Sequence, residues 1–230
     1  MIVTPDTLAW IAGRPANDNM VSVIKGLIAR PQSLKNRLRL AAYFGQGGEE
    51  SGLWRYDREI WGKKPTAAQA SYDTRTDLGN TAAADGDGYL YRGRSGLEIT
   101  GKDAYARFTA WCHANVSETL PPDFVANPDL VNTDPWEGLA PIFVWEWKAL
   151  DSVADRADVC ELTHRINGGY THLDQRIAYT DRAMQALADA RDLVAWQHMK
   201  GLAPDGRIGP ITRGALIMQL RTMPDVTFSL

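Results

Sequence analysis

Several kinds of site are missing from this 230-residue sequence. There are only two cysteines, Cys112 and Cys160, and no Cys-x-x-Cys pair, so a thiolate metal site is not expected. Both fall in segments that read as helix and are expected as buried thiols; their spacing cannot establish a disulfide. The four histidines, His113, His164, His172 and His198, lack the spacing of a zinc helix, and no His-Glu-x-x-His is present. The Asp85-Gly86-Asp87-Gly88 run lacks the rest of a calcium loop and reads as a turn. No metal or cofactor is expected. With a net charge of −3 and no long basic run, nothing marks nucleic acid as a partner. No run of about 18 apolar residues is present to span a membrane. The first residues, MIVTPDTLAWIAG, lack the basic start and long apolar core of a signal peptide, so synthesis in the cytoplasm is the expectation.

What is present is enough apolar residue for a core, 44% of the chain, arranged mostly with helical period. Val21, Ile24, Leu27 and Ile28 stripe one helix. A second follows Pro31, with Ser33 as its expected cap and Leu34, Leu38, Ala41 and Ala42 on its inner face. Gly45, Gly47 and Gly48 near its end allow close approach and bring Glu50 toward a cleft wall. Residues 60 to 100 are rich in glycine, aspartate and arginine. There Tyr89 and Tyr91 are expected to pair with Leu97 and Ile99 in a small hairpin. Further helices are expected at about 101 to 113, 136 to 150 and 155 to 166, the last ending at Asn167-Gly168-Gly169. Another runs from about 173 to 189, and two short ones cover 190 to 200 and 210 to 221. The expected fold is all-α with one small hairpin, as a main domain over 1–188 and a helical segment over 189–230.

Two carboxylates nine residues apart, Glu50 and Glu59, stand out. Carboxylates across a cleft can hydrolyse a glycosidic bond, one as acid and one as base. Glu50 follows an apolar helical stretch and is expected to be partly buried, as an acid needs. Glu59 lies beside Arg55 and Arg58, which would favour an ionised base. The plain alternative is a pair of surface residues in ion pairs.

The segment EESGLWRYDREIWG resembles the catalytic segment of the chitinase-like glycoside hydrolases of family 19, most closely their phage and bacterial lysin branch. Three later pieces resemble the family in order: WGKKPTAAQASYDTRTDLGNT, DGDGYLYRGRSGLEITGKDAY and THRINGGYTHLDQR. Together they span roughly residues 40 to 185. The resemblance implies a lysozyme-like two-lobed fold, Glu50 as general acid and Glu59 as base for inverting hydrolysis. It implies that Thr66 helps position the water and that Asn167 contacts sugar, although Asn167 also reads as a helix cap. Asn80, Tyr89 and Tyr91 become candidate cleft residues, and Arg92, Arg94 and Arg176 a charged network around the two glutamates. The chain departs from the family where Glu49 replaces histidine and Glu98 replaces glutamine. Glu98 changes the hydrogen-bonding character of its position, because an ionised carboxylate only accepts.

The C-terminal stretch WQHMKGLAPDGRIGPITRGALIMQL resembles part of a peptidoglycan-binding repeat through Trp196, Leu202, Asp205, Gly206, Ile208, Gly209, Pro210 and Thr212. A helical hairpin packed on the main domain is the other reading of the same residues. These likenesses imply a monomeric endolysin acting on bacterial peptidoglycan after holin-dependent release. A chitinase, or a noncatalytic cell-wall-binding protein, is the alternative.

Overall fold

The computed structural model describes residues 1–116 and 120–230. The architecture is mainly α-helical. In chain order the helices are α1 (Pro5–Ala12), α2 (Asp18–Ala29), α3 (Arg37–Glu50), α4 (Ala67–Ser71), α5 (Asp87–Leu90) and α6 (Lys102–Asn115). These are followed by α7 (Trp136–Trp147), α8 (Asp151–Asp155), α9 (Val159–Asn167), α10 (Leu173–Leu187), α11 (Leu193–Met199) and α12 (Pro210–Thr222). Strands β1 (Ile2–Val3) and β2 (Thr227–Phe228) pair in parallel, Ile2 opposite Thr227.

Helix α3 lies at the centre. Its residues from Leu40 to Gly48 are buried, including the uncharged polar Gln46. The helix starts where the Asn36 side chain accepts from the amides of Leu38 and Arg39. Asn36 is therefore the cap expected of Ser33, which sits one turn earlier in a 3-10 turn over Gln32–Lys35 and bonds Asp151 instead. Helix α10 packs along α3. A Cβ placed on Gly45 would lie 2.0 Å from Thr180 Oγ1, so this contact requires glycine.

The expected hairpin near residue 90 is not a sheet. Tyr89 lies in α5, and only isolated antiparallel bridges form, Arg58 with Arg94 and Arg94 with Ile99. The cause is long-range: the Asp73 carboxylate accepts from the amides of Gly86 and Gly88, winding that stretch into a helical turn. The residue 155 helix also differs. Asp151–Asp155 forms α8, and Asp158 caps α9 through the Glu161 amide.

The C-terminal segment shares the main core. Trp196, Leu216, Leu220 and Val226 are buried in the same cluster as Leu40 and Phe44, and Arg213 forms a two-bonded ion pair with Asp181 on α10. Its loop is knit by one buried side chain: the Gln197 amide donates to Asp205 Oδ1, the Arg207 carbonyl and Thr212 Oγ1, and accepts from the Gly206 amide. Several residues that carry the likeness to a peptidoglycan-binding repeat are thus the residues that close this loop. Cys112 is buried, Cys160 is exposed, and both are free thiols.

Candidate active site

Glu50 ends α3 and faces a cavity of about 420 Å³. Glu98, Tyr72, Arg75, Trp147, Lys148 and Asn167 line the same space. Nearly every polar group behind Glu50 is engaged. Arg176, on α10 and only 2% exposed, donates to Glu50 Oε1 at 2.7 Å, to Gln46 Oε1 at 2.7 Å and to the Thr171 carbonyl at 3.0 Å. The Gln46 amide in turn donates to Thr163 Oγ1 on α9. A planar guanidinium held at three edges fixes the carboxylate it grips. Glu49, one residue earlier and therefore about 100° around the helix, turns away from this contact and meets His172 Nδ1 at 2.7 Å.

Glu59 is carried by a loop. Residues 57–59 run antiparallel to 93–95: the Ser95 amide donates to the Asp57 carbonyl and the Glu59 amide to the Gly93 carbonyl. Arg58 pairs with Asp57 and lies within 4.0 Å of Asp129. It is therefore not the partner of Glu59 that sequence adjacency suggested. The Gln69 amide reaches Glu59 Oε1 at 3.3 Å and the Ile60 carbonyl at 3.1 Å. Thr66 caps α4 by accepting from the Gln69 amide, so it lies one residue contact removed from Glu59. Gln69 had no sequence signal beyond its place three residues after a capping threonine.

Glu98 completes the cleft. Its backbone sits at φ +34°, in a tight turn where the Glu98 amide donates to the Ser95 carbonyl. Its carboxyl lies against Gly93: a Cβ there would be 2.6 Å from Glu98 Oε2. Burial, and then the charges of Glu50 and Glu59, push this carboxyl up to about 8. The same two loop carboxylates, Glu59 and Glu98, add to burial in raising the Tyr72 phenol. Burial lowers Lys148 against the opposing pull of Glu50, and its ammonium donates to the Arg165 carbonyl.

Other expected site residues lie elsewhere. Arg92 and Arg94 do not join Glu50 and Glu59. Arg94 is buried and donates to Asp129, to Tyr105 and to the Leu90 carbonyl, and Arg92 stacks over Tyr89 and lies 3.8 Å from Asp129. Asp129, 35 residues on, supplies the charge that draws them away. Tyr91 is core, its hydroxyl bonded to the Val125 carbonyl. Tyr89 is exposed and edges Trp61. Asn80 braces the wall by donating to the Tyr72 carbonyl and accepting from the Lys102 amide. Asn167 ends α9 and does line the cavity.

The chain superposes on a point mutant of chitinase C with a TM-score of 0.57 at 17% identity, over 80% of this chain and 75% of that one. Chitinase C from Streptomyces griseus gives 0.52 at 16% identity, over 87% of this chain and 77% of that one. The fold is that of the chitinase-like glycoside hydrolases. In sequence, the chain is 40% identical over 100 residues to a glycosyl hydrolase family 19 domain-containing protein of Haemophilus influenzae. That match takes in 43% of the chain and 44% of the relative, so the chain aligns with less than half of that protein. No family model matches. Among the described residues, no group of three or more His, Cys, Asp or Glu could hold a metal ion, and no helix is long and apolar enough to cross a membrane.

Proposed function

We propose that this protein hydrolyses a glycan of N-acetylated amino sugars, with inversion at the anomeric carbon. The observation that carries this reading is a cavity lined by two carboxyls of unlike support: Glu50, gripped by Arg176 at a helix end, and Glu98 on a loop, close enough to Glu59 to feel its charge. Glu50 protonates the leaving oxygen. Glu59, which accepts a hydrogen bond from the neutral Gln69 side-chain amide, takes a proton from water attacking the opposite face. On this reading the two carboxyls must stand far enough apart to admit that water.

Chitin is the first substrate to test, because the solved structures sharing this fold are named as chitinases. Peptidoglycan is the second, and the C-terminal loop around Gln197 is what favours it. On that reading the protein is an endolysin, and the loop is one edge of a cell-wall contact. Soluble products released from chitin and from purified peptidoglycan separate the two, with mass analysis and reducing-end identification showing the bond cut. Glu50→Gln and Glu59→Gln should abolish release from whichever polymer is cleaved. Undiminished release by Glu50→Gln would sink the assignment, and binding without any release would make the protein a noncatalytic glycan binder.

A further inference from the structure

Glu98 has an unusual position for an acidic residue. It opens into the cavity beside Glu50, and its carboxyl is pressed against Gly93, whose carbonyl holds the Glu59 backbone. Among the described residues its carboxyl has no hydrogen bond from the protein and no cation within 4.0 Å. The charged groups facing it are already committed. Glu50 on α3 is held by Arg176. Arg75, after α4, is paired with Asp77, and Arg165 on α9 with Glu161. Lys148 at the end of α7 points to a backbone carbonyl. Glu59 and Tyr72 bring negative charge or a neutral phenol. A third carboxylate here would add like charge to a confined space with nothing to balance it, and a bound proton removes that cost.

We propose that Glu98 works as a neutral carboxylic acid that donates a hydrogen bond to an acceptor oxygen of the amino sugar in the cavity, so that the cleft turns over only while this third carboxyl keeps its proton. The inference rests on the hydrolase reading above. A protonated carboxyl has one donor and one acceptor, as an amide has, whereas the ionised form can only accept and repels the acceptor oxygen it should hold. An apolar or crowded site that keeps a carboxylic acid neutral near pH 7 for this purpose has precedent in enzymes. The raised position of this group supports the reading, because it places the loss of the proton at about pH 8.

The test uses the full chain with Glu98→Gln and Glu98→Ala. Product release is measured from pH 5 to 10, with kcat and KM resolved on a soluble oligosaccharide of N-acetylglucosamine. Wild-type activity should fall about tenfold per pH unit above the Glu98 transition. Glu98→Gln, which donates at every pH, should lack the part of the alkaline fall that belongs to the Glu98 transition. Glu98→Ala should raise KM roughly tenfold, the worth of one lost hydrogen bond. An alkaline limb shared by wild type and Glu98→Gln, or wild-type KM in Glu98→Ala, overturns the proposal. Carbon-13 NMR of the carboxyl groups gives a readout independent of turnover: one resonance should titrate near 8 and vanish in Glu98→Gln, and its absence also overturns the proposal. Inactivity of wild type on every glycan sinks the hydrolase reading and the sugar contact with it, while the NMR titration separately reports the proton on Glu98.

Discussion

The two walls of the cleft are built on opposite principles. On the helical wall Glu50 sits at the end of a chain of satisfied groups, Arg176, Gln46 and Thr163, that ties α3, α9 and α10 together. On the loop, among the described residues, the Glu59 side chain has one amide partner and Glu98 has none, and the backbone reaches them through turns at positive φ. The first wall fixes where a carboxylate is. The second holds its carboxyls more loosely. On the proposed reading, a site that aims a proton and binds water at a sugar draws on both kinds of support.

Removing the reactive group should give the largest effect. Glu50→Gln should lower kcat roughly 10²–10⁴-fold with the circular dichroism spectrum unchanged; a drop below tenfold would mean that the helical wall does not carry the acid. Breaking the support should come next. Arg176→Ala strands Glu50 and Gln46 and should cost about 3–5 kcal/mol in denaturant unfolding. A loss under about 1 kcal/mol would show that the anchored wall is no more rigid than the loop. Gly45→Ala drives a methyl into Thr180 and should destabilise by about 1–3 kcal/mol, read as a Tm lowered by several degrees. A Thr180→Ser or Thr180→Ala second change that does not recover any of this would argue that the helix contact is not the cause.

A smaller and opposite effect belongs to the loop wall. A carboxyl pushed up on folding binds its proton more tightly in the native state. Its stabilising proton is fully present below the unfolded value of 4.5 and is lost as pH rises through about 8. Stability should therefore decline with rising pH across that window, and Glu98→Gln should flatten the decline. Glu137, pushed up to about 7 by burial with Asp57 and Asp134 nearby, contributes the same sign over a lower range and should persist in the mutant. Equal pH slopes in wild type and Glu98→Gln would mean that the two walls do not differ in their proton affinity. The Glu49–His172 contact lies outside the comparison. His172 is 60% exposed, and His172→Ala should change stability by no more than about 0.5 kcal/mol.

The same contrast explains what could be read in advance. The helical wall was legible because its information is local and periodic. The long run of α10 and the Asn167-Gly168 ending appear where their spacing put them, whereas the α2 stripe is only half right: Ile24 and Leu27 are buried as expected, but Met20 and Val23 complete that face and Ile28 is exposed. The cap of α3 was missed by three residues, because Ser33 and Asn36 are both good capping types and only the 3-10 turn between them decides. The loop wall was legible in composition and misread in geometry. Its shape depends on Asp73 capturing amides 13 and 15 residues away and on Asp129 drawing in Arg94 from 35 residues away. Sequence reasoning assigned Arg58 to its neighbour Glu59, whereas the bridge to Arg94 turns it toward Asp57. Gln69, the residue that does touch Glu59, is an ordinary glutamine until the chain folds.

The Gly45–Thr180 contact also sets a lever arm. Glu50 lies five residues beyond Gly45, about 7.5 Å along the helix axis. With the pivot that close, tilting α3 by 5° moves the start of the Glu50 side chain by only about 0.7 Å. Misplacements of about 1 Å are where catalytic geometry begins to fail. A pivot at Arg37, the start of α3, would put about 20 Å of helix between it and Glu50, and the same tilt would move the side chain by about 1.7 Å. Proximity of the pivot therefore protects the aim of Glu50, whatever motion the rest of the helix undergoes.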